Sequence, residues 1–222
     1  MSPESMSTAM SPSPEPFTAI VPIRSWATGK SRLGLDDAER ASLGQAFALD
    51  VIDVLQQSPD VDLVVVVTAD DDVRAAVADV EVVPDRGQSL DDAVSQGCAH
   101  VLAGRGSRVV VVPSDLPCLT VDALAEVVRM SDGHEHAYCP DTEGDGTGII
   151  VSRDAVGLVT SYGPGSAAAH RAAGLIPLVA APVEARRDVD TVAHLREAES
   201  LGVGRRTAAA IAELNESASR RQ

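Results

Sequence analysis

The sequence predicts an α/β domain of three layers. Strand-like apolar runs recur along it, and several are continuous rather than alternating, the pattern of strands covered on both faces of a largely parallel sheet. Helical patterns separate these runs, so strand and helix alternate. The first run is 17–23, after which Leu43, Phe47, Val51 and Leu55 fall on one helical face. Strands are expected over 63–67 and 80–83, then a helix whose inner face carries Leu90, Val94, Cys98 and Val101. Val109-Val110-Val111-Val112 is a buried strand, and Thr120 is placed to cap a helix bearing Leu124, Val127 and Val128. Runs at 137–139, 149–151 and 176–180 complete the strands, and Asp190 is read as the cap of a helix ending near Leu201-Gly202. One domain over 17–204 follows. Residues 1–16 read as a disordered leader, with Met6 and Met10 as alternative starts, and the Ala- and charge-rich 205–222 as a surface helix fraying into a tail.

A net charge of −15 and a pI near 4.6 leave no broad basic surface, which argues against nucleic acid or an anionic membrane as the main partner. The amino-terminal stretch has neither the basic start nor the apolar run of a signal peptide or membrane anchor. Cys98, Cys118 and Cys139 lie far apart without a C-x-x-C spacing and read as buried thiols of a reducing cytoplasm. His134 and His136 read as solvated residues of a polar loop.

In parallel sheets ligands bind beyond the carboxyl ends of the strands. After the first strand comes "VPIRSWATGKSRL", whose "GKS" is no Walker motif because position 24 is Arg rather than Gly. Arg24, Lys30 and Arg32 remain as a cationic cluster suited to a polyphosphate, with a solvated basic loop as the alternative. In "VVVVPSDLP", Asp115 stands too early to cap the helix at Thr120, and Pro113 and Pro117 stiffen its turn as a metal ligand requires. Asp188 and Asp190 form a second acidic pair expected at another strand end, two apart and so on one side of the strand. Because Asp190 has a capping job to do, Asp188 is the stronger chemical candidate. Carboxylates from separate strand ends, with remaining positions left to phosphate oxygens and water, suit octahedral Mg²⁺. Thr147, in "DTEGDGTGII", offers a hydroxyl in a glycine-rich turn, either an anion cradle or a plain hairpin. Ser166, opening a helix after "YGPG", offers free N–H groups to an anion, or is an ordinary cap.

The order and spacing of "VPIRSWATGKSRL", "VVVVPSDLPCL", "GDGTGIIV", "YGPGSAAAH" and "RRDVDTVAHL" resemble the phosphoenolpyruvate or 2-phospho-L-lactate guanylyltransferases of deazaflavin coenzyme F420 biosynthesis, over residues 18–204. The resemblance implies the nucleotidyltransferase version of the glycosyltransferase-A-like α/β/α fold, with a mostly parallel mixed sheet. It implies that Lys30 and Arg32, with Arg24, hold the triphosphate, and that Asp115 and Asp188, with Asp190 nearby, bind Mg²⁺. It further implies that Thr147, Gly163 and Ser166 hold the phosphorylated acid. Many relatives have Lys where this chain has Arg24, and Leu-Asn where it has Leu90-Asp91; Asp91 is carried over as a nucleotide contact, since a carboxylate still accepts from guanine N1–H and N2–H₂. The implied reaction joins GMP from GTP to phosphoenolpyruvate with release of pyrophosphate, with catalysis carried by Asp115, Asp188 and Lys30. A downstream deazaflavin transferase would take the product. Composition rich in Ala, Arg, Asp and Val suggests a high-GC genome of actinobacterial kind, which favours phosphoenolpyruvate over 2-phospho-L-lactate. Another nucleotidyl transfer on the same fold and a non-catalytic nucleotide-binding module stay open, as does a homodimer.

Overall fold

The computed structural model describes residues 15–26, 31–77, 79–104 and 106–220. Elements follow the chain as β1 (Phe17–Pro22), α1 (Asp37–Gln57), β2 (Val61–Thr68), α2 (Asp71–Ala76), β3 (Glu81–Pro84), α3 (Leu90–Leu102), β4 (Val109–Val111), α4 (Val121–Met130), β5 (His136–Pro140), β6 (Thr147–Ser152), α5 (Ser166–Ala172), β7 (Ile176–Pro177), α6 (Val192–Leu201) and α7 (Arg205–Arg220). All seven expected strands are present. The short α2, capped by Asp70, has too few residues for its periodicity to stand out in the sequence.

The strands form one seven-stranded sheet in the order β3-β2-β1-β4-β6-β5-β7. β1 pairs in parallel with β2 and β4, and β2 with β3. β6 is antiparallel to both its neighbours, β4 and β5, and β5 is parallel to β7. The start of β6 therefore lies at the same sheet edge as the ends of β1, β4 and β5.

Successive side chains of the buried strands point to opposite faces. Ala19, Val21, Val64, Val66, Val110 and Val112 pack with Val51 and Leu55 of α1 and Leu124 and Val127 of α4. Ile20, Val65, Val67, Val109 and Val111 pack with Val94 and Val101 of α3 and Ala167 of α5. These two cores make the three layers. Gly97 of α3 sits so close to the sheet that a Cβ would lie 2.6 Å from Ile20 Cγ2.

A third core joins Leu43 and Phe47 of α1 to Val189, to Ala198 of α6 and to Ala210 and Ile211 of α7. The carboxyl-terminal segment expected to fray is helical through Arg220, and its first half is docked. Asp50 of α1, 6% exposed, accepts the backbone N–H groups of Arg206 at 3.1 Å and Thr207 at 2.8 Å, supplying the cap that α7 lacks locally.

Three further expectations are corrected. Thr191, rather than Asp190, caps α6, its hydroxyl accepting from His194 N–H at 3.2 Å. The run expected as a strand over 176–180 pairs only at Ile176 and Pro177, and a turn closes with Ala181 N–H donating to Leu178. His136 is part of β5, its Nδ1 2.9 Å from Ser152 Oγ, and not a solvated loop residue. The leader falls outside the described residues except for the exposed Glu15 and Pro16.

Candidate active site

The edge where β1, β4 and β5 end and β6 begins opens into a cleft of about 750 Å³. Arg32, Asp115, Thr147, Gly163, Ser166, Asp188 and Asp190 all line it. A smaller adjoining pocket of about 160 Å³ is lined by Arg24, Trp26, Gly44 and Ser114, and shares Leu90, Asp115 and Asp190 with the cleft. Lys30 lies outside the described residues.

Asp115 is placed by the strand before it and the apolar residue after it. Val112 N–H donates to Ile20 carbonyl, and Leu116 is fully buried. The segment 186–190 reaches the same place without being a strand: it follows a 3₁₀ turn at Val183–Ala185 as irregular chain. Val189, fully buried, belongs to the third core, while Asp188 and Asp190 on either side of it line the cleft. Val189 N–H also donates to Asp115 carbonyl at 3.2 Å, tying the two acidic segments together.

Two arginines fasten this segment to the opposite wall. Arg186 donates to the carbonyls of Pro140 and Asp141, each at 2.8 Å, and of Val179 at 3.0 Å. Arg187 is buried and bridges Glu143 and Glu197, 3.0 Å from each. Both positions escaped the sequence reading, although they directly precede Asp188 in "RRDVD".

Asp188 Oδ1 is buried and has no hydrogen-bond partner among the described residues. Burial, then the nearby carboxylates Asp115, Asp190, Asp141 and Glu143, push its pKa up to about 7.

The opposite wall is a glycine-rich turn closed by Asp141, whose carboxylate accepts from the N–H groups of Asp145 at 3.0 Å and Gly146 at 2.7 Å. Thr147 follows and opens β6. Gly165, in the left-handed region at φ 75°, occupies the cap position of α5. Ser166 is the first helical residue, 2% exposed, with its hydroxyl 3.1 Å from Thr147 Oγ1. The expectation of free N–H groups at this helix start is not met. Gly165 donates to Asp145 Oδ2, Ala167 to Asp145 carbonyl and Ser166 to Gly163 carbonyl. What Ser166 and Thr147 offer the cleft is hydroxyls.

Asp91 lines neither cavity, and its Oδ1 accepts Tyr162 N–H at 3.0 Å. It anchors the loop bearing Gly163, and its neighbour Leu90 reaches the cleft instead. An Asn side chain carries the same acceptor oxygen, so that anchor does not depend on the charge.

Residues 17–175 match the model of the family described as "Guanylyl transferase CofC like". The chain belongs to the CofC-like guanylyltransferase family. Among curated proteins the chain is similar to the "Phosphoenolpyruvate guanylyltransferase" of Streptomyces coelicolor, 39% identical over 207 residues, covering 89% of this chain and 97% of that one. The protein of the same name from Salinispora arenicola is 36% identical over 199 residues, covering 86% and 92%. Among solved structures, a protein of nucleotide-diphospho-sugar transferase type from Desulfovibrio desulfuricans G20 superposes with a TM-score of 0.62 at 16% identity, over 84% of this chain and 96% of that one. This CofC-like chain is thus a nucleotidyltransferase enzyme with the α/β/α sheet expected from its sequence.

Proposed function

We propose that the chain transfers GMP from GTP to phosphoenolpyruvate, releasing pyrophosphate and forming enolpyruvoyl-2-diphospho-5'-guanosine for coenzyme F420 biosynthesis. The observation that carries this reading is Asp188: a carboxylate with a buried, unpartnered oxygen, beside Asp115 in an acidic cleft whose other wall presents the Thr147 and Ser166 hydroxyls. Acidic walls repel two anionic substrates unless cations accompany them. A divalent cation fits the donor set, and magnesium is the one proposed, held by Asp115 and Asp188 with Asp190 adjacent. Among the described residues no three His, Cys, Asp or Glu side chains form a closed metal cluster. The remaining ligands would be phosphate oxygens and water, the usual habit of magnesium.

Bound magnesium would offset charge on the α-phosphate and on departing pyrophosphate. Arg32, on the cleft wall, faces the triphosphate, and Lys30 is assigned to the same task from its sequence position. Thr147, Gly163 and Ser166 hold the acid. A phosphate oxygen of the acid bonds to the α-phosphorus as the bond to the pyrophosphate oxygen breaks. That oxygen is already ionised at neutral pH, so positioning replaces general base catalysis. The product, a reactive mixed diphosphate, would pass to a deazaflavin transferase. Among the described residues no helix is long and apolar enough to cross a membrane.

The test is pyrophosphate release by the purified protein with Mg²⁺ and GTP, comparing phosphoenolpyruvate with 2-phospho-L-lactate and draining product with the downstream transferase. Turnover on phosphoenolpyruvate supports the assignment; turnover on 2-phospho-L-lactate alone changes the acceptor, and silence with both overturns the reaction.

A further inference from the structure

His170 lies four residues after Ser166, one turn along the same face of α5, and is fully buried. Its ring sits between those of Tyr138, with centroids 5.7 Å apart, and Tyr162, at 5.4 Å. Both ring nitrogens are engaged. Nε2 is 2.9 Å from the backbone nitrogen of Ser161, which can only donate, so Nε2 must carry a lone pair. Burial holds the imidazole below its usual pKa, against a weaker opposing pull from Asp91, and so keeps it neutral. A neutral ring with a bare Nε2 carries its proton on Nδ1, and Nδ1 lies 2.9 Å from Thr147 Oγ1. Thr147 Oγ1 therefore accepts from His170. It accepts again from the Ser166 hydroxyl at 3.1 Å, which fills its two lone pairs.

We infer that His170 is a positioning residue: its Nδ1–H occupies one lone pair of Thr147 Oγ1 and, with the Ser166 hydroxyl donating to the other, leaves the Thr147 hydroxyl only the role of donor, aimed at an anionic oxygen of the acceptor acid. This rests on the proposed reaction for the identity of the acid, but not for the tautomer. With the opposite tautomer, Nε2–H would face Ser161 N–H donor to donor, and the Thr147 proton would turn back toward Nδ1. A hydroxyl presented as a donor suits a carboxylate or phosphoryl oxygen, which only accepts.

Two measurements test it. In the substrate-free protein labelled with ¹⁵N-histidine, two-bond ring correlations should report His170 as the Nδ1–H tautomer; an Nε2–H pattern overturns the inference. Kinetics of His170→Asn and His170→Gln supply the second arm, because the Asn amide nitrogen takes the place of Nδ1 whereas the Gln amide reaches toward Nε2. His170→Asn should keep KM for phosphoenolpyruvate within about threefold, and His170→Gln should raise it at least about tenfold, with KM for GTP unchanged in both. Equal effects of the two variants, or equal effects on both substrates, would reduce His170 to packing and overturn the role. Wild-type protein that shows the Nδ1–H tautomer but no turnover would count against the reaction while upholding the hydrogen-bond relay.

Discussion

Val189 N–H donates to the carbonyl of Asp115 at 3.2 Å, which ties the segment carrying Asp188 and Asp190 to the turn carrying Asp115 at the cleft. Asp115→Asn keeps that bond and the turn while removing a charge. Turnover should fall by at least about a hundredfold with the melting curve and circular dichroism preserved. Activity like the wild type's would remove Asp115 from the metal.

Asp188 gives a prediction in pH. Its pKa is about 7 in the folded protein against an ordinary value of 3.8, so between these limits the folded state binds the extra proton. Stability therefore falls as pH rises from about 4 to 7, and the full penalty persists above that range. In a chelating buffer Asp188→Asn should raise stability at pH 8 by about 1–3 kcal/mol, read as a higher Tm, and have little effect near pH 4. Added magnesium should raise Tm at pH 8 in the wild type and much less in the variant.

Removing the Ser166 hydroxyl takes away one of the two bonds accepted by Thr147 Oγ1, and with it part of what keeps the Thr147 proton directed at the acid. Ser166→Ala should raise KM for the acid by about tenfold and leave KM for GTP within about twofold. Initial-rate kinetics with each substrate varied in turn check this, and a matched rise in both would place Ser166 elsewhere.

Gly97 and Asp50 probe the scaffold. Ala at position 97 gains about 1 kcal/mol of helix propensity but forces a methyl to within 2.6 Å of Ile20, an overpacking cost of about 1–3 kcal/mol, so urea denaturation should show a net loss. Asp50→Ala strands the N–H groups of Arg206 and Thr207 and should cost about 2–4 kcal/mol, with α7 becoming open to limited proteolysis. A protein cut after Gly204 should lose stability as well, because Leu43 and Phe47 lose Ala210 and Ile211.

The strands were legible because a strand covered on both faces must be apolar throughout, and Val109–Val111 is the plainest case. Asp115 was legible because a charge following such a strand needs a reason. Asp190 and Thr191 both have side chains that cap helices, and no rule of spacing separates neighbours; only the bond from His194 N–H to Thr191 shows that Asp190 is spared the task. The occupied N–H groups of Gly165 and Ala167 at the start of α5 were illegible because their partner, Asp145, lies in the distant turn before β6. Asp50 under α7 is the same problem at longer range. His170 did leave a signal, its one-turn spacing from Ser166, but the spacing acquires meaning only once Thr147 and Ser161 are seen beside the ring.

The reversed direction of β6 has an evolutionary consequence. Because that strand begins at the edge where β4 and β5 end, a single uninterrupted stretch from Asp141 to His170 builds the wall that carries Thr147, Gly163 and Ser166. Arg24, Arg32 and Asp115 all come from earlier in the chain. Exchange of that one cassette could retune the choice of acceptor while the machinery assigned to the nucleotide is inherited unchanged.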